Sequence, residues 1–247
     1  MRDVEITKRE ILVSIIIILI MMGLGFFLST SIHNKVSVSN EKYFKALKID
    51  NLPELFNYAI NTEVGHVLSY GKFKANEPVS DTMIKGKYFS IKRIEEHYVM
   101  KTRVVTYTDS NGKSQTKTET YWEWDEWKRD YFHTKTFNYL GRDFKIGKVK
   151  IDNYIYGDTV KKSTFSNIRW VFYVIPKEFE AALYSNTSEG TINQNELYEN
   201  QTIERVIERK ESGADRAVIL FWIGWAVLIV GAVVIFVMLD NKFINNK

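Results

Sequence analysis

Two uncharged apolar stretches constrain this chain more than anything else in it. Ile11 to Leu28, ILVSIIIILIMMGLGFFL, and Ala217 to Leu239, AVILFWIGWAVLIVGAVVIFVML, carry no ionisable side chain. At the helical rise they extend about 27 Å and about 34 Å, against a hydrocarbon core of about 30 Å. A helix buried in a soluble domain normally keeps a polar stripe, and neither stretch has one. They predict two transmembrane helices, residues 11–28 and 217–239, that bracket a central domain. Residues 1–10 and 240–247 are then short tails, and the lipid bilayer is the first partner. A cleaved signal peptide is the rival reading of the first stretch, with Ser29 and Ser31 as small residues near a cleavage site. The apolar run is longer than the usual signal core of about 7–15 residues, and the leading MRDVEITKRE has no net positive charge.

Two spans place both tails on one side. Lys8 and Arg9 abut the first span, and Lys242 and Lys247 follow the second. Lys35, Lys42, Arg209, Lys210 and Arg216 lie near the inner ends. Long loops translocate largely regardless of charge, so the tails weigh more. The expected topology has both termini cytoplasmic and the central domain outside the cell membrane. Ala217, Gly224 and Gly231 recur every seven residues on the second span. Small residues let helix backbones approach closely, so these three predict a packing seam. It would face the first span, through Ser14 and Gly25, or a second copy in a homo-oligomer. Trp222 and Trp225 suit an interfacial aromatic belt.

Between the spans the charge is mixed. The whole chain has 34 basic and 30 acidic residues, net +4, with no basic block interleaved with stacking aromatics, so nucleic acid is not an expected partner. Cysteine is absent, which excludes disulfides and zinc–thiolate sites. Heavy use of Lys, Asn and Ile is the composition of an AT-rich genome, as in low-GC bacteria and their phages. Residues 29–62 read as a helical stem, since Ser39–Ile60 has apolar residues at helical spacing and Pro53 suits a helix start. Residues 63–212 read as β-rich. HVLSYGKFKA, YFSIKRIEEHYVM, RVVTYT, QTKTETYWEW, YFHTKTFNYL, FKIGKVKI and IRWVFYVI are the strand candidates. Asn111–Gly112 predicts a tight hairpin between RVVTYT and QTKTETYW, and LGRD a second one. KEFEAALYSN predicts a short helix, while residues 200–212 suit either helix or strand. The expected fold is an α+β domain, barrel- or sandwich-like, held between two transmembrane helices.

YWEWDEW, residues 121–127, is the candidate site. On a strand Trp122 and Trp124 share one face, Glu123 and Asp125 take the other, and Trp127 falls out of phase. One reading makes Trp122 and Trp124 core with the acids in water. A second makes Trp122, Glu123, Trp124, Asp125 and Trp127 a surface for a ligand or partner, such as a cell-wall sugar or a peptide. A third uses Glu123, Asp125 and Glu126 as the carboxylates of an envelope hydrolase. His97 and His133 with Asp125 could ligate a metal, although no helical His–Glu spacing of zinc hydrolases is present. There is no G-x-S-x-G elbow, phosphate-cradling glycine loop or cysteine nucleophile, and no cofactor is expected.

Residues 66–98, HVLSYGKFKANEPVSDTMIKGKYFSIKRIEEHY, place Gly71, Pro78, Lys92, Arg93 and Glu95 in the order strand–Gly, loop with Pro, basic strand with Glu. This stretch resembles the opening of a module shared by the LUMA proteins of the inner nuclear envelope and the GIDE/MULAN-type mitochondrial ligases. ETYWEWDEW is similar to the aromatic texture of LUMA. The resemblance covers about a fifth of the chain. It implies a membrane-tethered β module used for protein contacts; ligase activity does not carry over, because a RING finger needs cysteines. The expected function is a membrane-anchored, non-enzymatic interaction or scaffold protein whose partner is another membrane or envelope protein. A sugar or small-ligand receptor and a carboxylate-dependent envelope hydrolase are the alternatives.

Overall fold

The structure is a computed structural model and describes residues 7–163 and 166–245. The chain divides into two compact units: a helical one of Met1–Ala46 with Glu204–Lys247, and a β-rich one of Leu47–Ile203.

In the helical unit, α1 (Lys8–Phe44) runs well past the expected span, and α3 (Ile203–Glu211) precedes α4 (Gly213–Asn245). Thr7 and Glu10 close a reciprocal capping box at the start of α1, satisfying backbone donors that the first turn leaves open. α1 and α4 pack together along their length. Arg9 binds both carboxylate oxygens of Asp240 at 2.6 and 2.7 Å, and Asn241 donates to Glu10. Toward the other end, Asn40 donates to the Lys210 carbonyl. Between these ends lies Gly25. A Cβ there would sit 2.6 Å from the Trp225 ring and 2.9 Å from Trp222, so only glycine lets both indoles lie on the α1 backbone. Trp225 Nε1 then donates to the Met21 carbonyl at 2.9 Å. The seam thus uses Gly25, as the sequence suggests, but bulky indoles face it. Added Cβ atoms at Gly224 and Gly231 would meet nothing within 4 Å, so α1 does not lie on the Ala217–Gly224–Gly231 row. Both helices are long and apolar enough to cross a membrane, and their apolar windows are 6% and 0% buried in the structure.

The β-rich unit holds two open sheets, and neither closes into a barrel. The first has the order β10–β9–β2–β5–β6, with β1 (Leu47–Asp50) added in parallel to β2 (His66–Ala75). β9 (Glu178–Asn186) lies between β2 and β10 (Asn193–Glu199). β5 (Thr136–Tyr139) and β6 (Arg142–Lys145) meet at Leu140–Gly141, both at positive φ, the two-residue turn expected from LGRD. The second sheet has the order β4–β3–β8–β7, from β3 (Tyr88–Thr108), β4 (Ser114–His133), β7 (Ile155–Lys161) and β8 (Ile168–Pro176). Four of the expected strands merge into the long β3 and β4. Their turn is a three-residue loop rather than a two-residue one: Gly112 alone takes positive φ, and the Asp109 side chain accepts from the Asn111 and Lys113 amides.

Three expectations fail here. FKIGKVKI, expected as a strand, is strand only as far as Lys145, where β6 ends, and continues as turn and irregular chain. The helical stem over residues 29–62 is interrupted by β1, where Ile49 is fully buried and backbone pairing to β2 replaces the helix; α2 (Pro53–Asn61) resumes at the proline. KEFEAALYSN is strand β9, not helix. Ala181, Ala182, Leu183 and Tyr184 are all buried, so it lacks the alternation that marks a half-exposed strand. Residues 200–212 are helical from Ile203, with β10 ending just before.

The main core gathers on one face of the first sheet, under α2, and Phe89 and Ile175 of the second sheet enter it. Phe73 is its hub, with ring centroids 4.2 Å from Tyr139, 5.1 Å from Phe179 and 5.5 Å from Phe137. Phe73→Ala removes the side chain that all three rings touch, and should cost about 3–5 kcal/mol, a large share of a domain's stability. Near-UV circular dichroism of the detergent-solubilised full chain during denaturant unfolding measures this. A loss below about 1 kcal/mol would show that the stack does not hold the core.

Candidate functional site

β8 pairs with β3 only from Tyr88 to His97. Beyond that point β3 and β4 continue as a two-stranded ribbon to Thr108↔Ser114. Alternation divides the ribbon into two chemically distinct faces. One carries Tyr98, Met100, Thr102, Val104 and Thr106, opposite Trp124, Trp122, Thr120, Thr118 and Thr116. Tyr98 stacks on Trp122 at 5.5 Å and lies tilted against Trp124 at 5.1 Å. The Arg169 guanidinium sits 4.2 Å from the Trp124 ring centre, a cation–π contact that fixes the inner end of the row. Met100 is 59% exposed, Val104 70% and Trp122 53%. The expectation that Trp122 and Trp124 fill core is therefore corrected: they line an outward face of a ribbon.

The opposite face carries the charges, interspersed with Val99, Tyr121, Val105 and Tyr107. Lys101 binds Glu123 at 2.7 Å and Asp125 at 3.2 Å. Glu119 is held by Lys117 at 2.9 Å and Arg103 at 3.2 Å. Hydrogen bonds to Glu123 and then Asp125 raise the Lys101 ammonium above its ordinary range, and those from Lys117 and then Arg103 lower the Glu119 carboxyl. Glu126 is bound by Arg129. The structure thus brings Trp122 and Trp124 together and sets Glu123 and Asp125 together on the other face, each acid already held by a cation.

Trp127 leaves the row altogether. Glu95 pairs with Lys128 and Glu96 with Glu126, so Trp127 is the extra residue of a β-bulge. Its indole stacks on His97 at 4.9 Å, and His97 Nε2 lies 2.8 Å from Glu95. His133 pairs instead with Ser90, far down the ladder, so the two histidines do not meet. Among the described residues no group of three or more metal-ligating side chains is assembled.

A second site was not visible in the sequence. Ser90 Oγ lies 2.6 Å from His133 Nδ1 and 2.6 Å from the Tyr154 hydroxyl. This chain joins β3, β4 and the segment before β7 along a cleft of about 490 Å³ lined by Lys92, Tyr131, Ile151 and Asp152. Burial lowers the His133 pKa and raises that of Tyr154, so both groups are held neutral at neutral pH. The Lys92 ammonium lies over the Tyr173 ring at 4.4 Å and the Tyr154 ring at 5.1 Å. Ser90 is only 1% exposed, and the relay ties three segments of the chain together. Its members are 43 and 64 positions apart from Ser90, and no spacing motif could announce them.

No protein-family model matches the chain, and no curated protein or solved structure is significantly similar to it.

The lowered His133 pKa has a defined sign. The unfolded imidazole binds a proton more readily than the folded one, so stability is intact above the ordinary histidine pKa of about 6.5 and falls as pH drops below it. His133→Gln removes that proton uptake. Unfolding midpoints at pH 7.5 and pH 5 should therefore diverge more for the wild-type chain than for the variant. Equal shifts in both would show that this imidazole does not contribute.

Proposed function

We propose that this chain is a membrane-tethered, non-enzymatic interaction protein. Its two apolar helices lodge in a cell membrane, its termini lie in the cytoplasm, and its β-rich unit stands outside, where the Trp122–Trp124 face of the ribbon meets another protein. One observation carries the reading: a row of exposed aromatic and aliphatic side chains occupies one ribbon face, while the neighbouring acids are paired on the other. Buried aromatic anchors dominate the energetics of protein contacts, and this face carries cations only at its inner end, where Arg169 and Lys161 lie over Trp124. The resemblance of residues 66–98 to the LUMA and GIDE-type module supports the same role.

The alternatives fit less well. A sugar platform gains from indoles and carboxylates that converge on one ligand, and here they diverge. A glycoside hydrolase needs two carboxyl groups flanking a substrate, one of them protonated. Glu123 and Asp125 share one lysine on an open surface instead.

Two measurements test the proposal. Reporter fusions in the hairpin tip at Asn111 and after Lys247 should score outside and inside; the reverse pattern would move the partner to the cytoplasm and overturn the topology. Photo-crosslinking residues placed at Met100 and Trp122 in intact membranes should give discrete protein adducts, and one at Arg103 on the ionic face should not. Equal labelling from the two faces would remove the ribbon as the contact surface.

A further inference from the structure

We infer that the free edge of β4 pairs with the same edge of a second copy, antiparallel and centred on Thr120. This rests on the ribbon being a contact surface and names its occupant. β4 is the outer strand of its sheet, and over Ser114–Glu126 no strand among the described residues pairs with its far side. At the hairpin tip the Asp109 amide donates to the Lys113 carbonyl. Hydrogen-bonded and non-hydrogen-bonded pairs alternate from there, so the even-numbered residues from Ser114 to Glu126 turn their backbone N–H and C=O groups to the open edge. Such an edge templates strand addition unless something opposes it.

Charge selects the occupant, and charge together with the tryptophan row selects the register. A twofold axis through Thr120↔Thr120 sets Lys117 opposite Glu123 twice, Gln115 opposite Asp125, and Glu119 opposite Tyr121. On the other face Thr118 and Thr116 fall beside the exposed Trp122 and the half-buried Trp124 of the second copy, flanking both indoles with threonine methyls. The neighbouring registers fail. Centring on Glu119 opposes Glu119 to itself, and centring on Tyr121 opposes Glu119 to Glu123 twice, which cancels the two Lys117–Asp125 pairs it forms. Centring on Thr118 runs Trp124 off the strand end, opposite Gly112 in the turn. The free edge of β3 offers no equivalent, because from Tyr98 to Thr108 its only charges are Lys101 and Arg103, two cations. Like charges placed opposite each other on paired strands are destabilising, so β4 is self-complementary and β3 is not.

The absence of native cysteine makes the test direct. In membranes containing the full chain, Thr120→Cys should give a disulfide-linked dimer under mild oxidation, since directly opposed Cα atoms lie within disulfide reach. Thr118→Cys, two residues along the same face, falls opposite Trp122 and should give little. Lys117→Glu in the Thr120→Cys background should lower the dimer yield by about fivefold, and adding Glu123→Lys should restore it. No dimer from Thr120→Cys, or equal yields from Thr118→Cys and Thr120→Cys, would overturn the proposal. If photo-adducts to a different protein form at Trp122 while Thr120→Cys stays monomeric, the second copy is excluded and the interaction reading stands.

Discussion

The long ladder between β3 and β4 is the constraint on which the rest of the β-rich unit depends. An isolated two-stranded ribbon is marginal in water, because each residue is fixed at an entropic cost with few neighbours to offset it. This one is rooted. From Ser90 to His97, β3 is paired on both sides, and Phe89 and Ile91 are buried at that end. The same backbone then continues outward as Tyr98–Thr108, so the ribbon inherits its direction and register from a strand that cannot slip without emptying the core. Side-chain pairs hold the outer part. Threonine and aromatic pairs line one face, and the Lys101 and Glu119 ion pairs line the other. Exposed pairs of this kind are individually weak, and their value lies in repetition along one ladder.

Much of this was legible in the residues, and the exceptions share a cause. Runs rich in Tyr, Phe, Val, Ile and Thr, bounded by Gly, Asn and Asp, located β2, β3, β4 and β8. The Asp109–Lys113 turn was legible from Asn111–Gly112, though its length was not, since a glycine at positive φ serves both two- and three-residue loops. β9 was misread because both of its faces are buried, which erases the period that distinguishes strand from helix. β1 was missed because its pairing with β2 is decided by a segment about twenty residues away. The Trp122–Trp124 parity was legible, and so was the misfit of Trp127, but not the bulge that resolves it. The Ser90–His133–Tyr154 relay left no trace, since it is created by strand pairing and by the return of the chain before β7.

The bulge at Trp127 separates two environments. Below it, from Lys128 to His133, β4 lies over the part of β3 that β8 also covers. There Arg93 bridges Asp81 and Asp130 at 3.0 and 2.9 Å and ties the sheet to the preceding loop. Above it the ribbon has only its own two strands. Bulges increase local twist and re-aim side chains. Here the extra residue places an indole on His97 and leaves Trp122 and Trp124 in phase with Tyr98 and Met100. Without the bulge Trp127 would pair directly with Glu96, and every β4 residue before it would be displaced by one, turning the tryptophans onto the ionic face.

The helical unit shows the converse use of small and large residues. In a bilayer, apolar surface alone gives helices no reason to associate, so packing and hydrogen bonds must supply it. α1 and α4 obtain both at one place, because the missing side chain of Gly25 lets Trp222 and Trp225 reach the α1 backbone and lets an indole N–H find the Met21 carbonyl. The polar contacts Arg9–Asp240, Asn241–Glu10 and Asn40–Lys210 lie outside the apolar stretches. An ion pair there can set the register of the two helices without interrupting either apolar stretch. Small residues on one helix are thus informative only together with what the other helix places against them: Gly25 receives two indoles, and Gly224 and Gly231 receive nothing from α1.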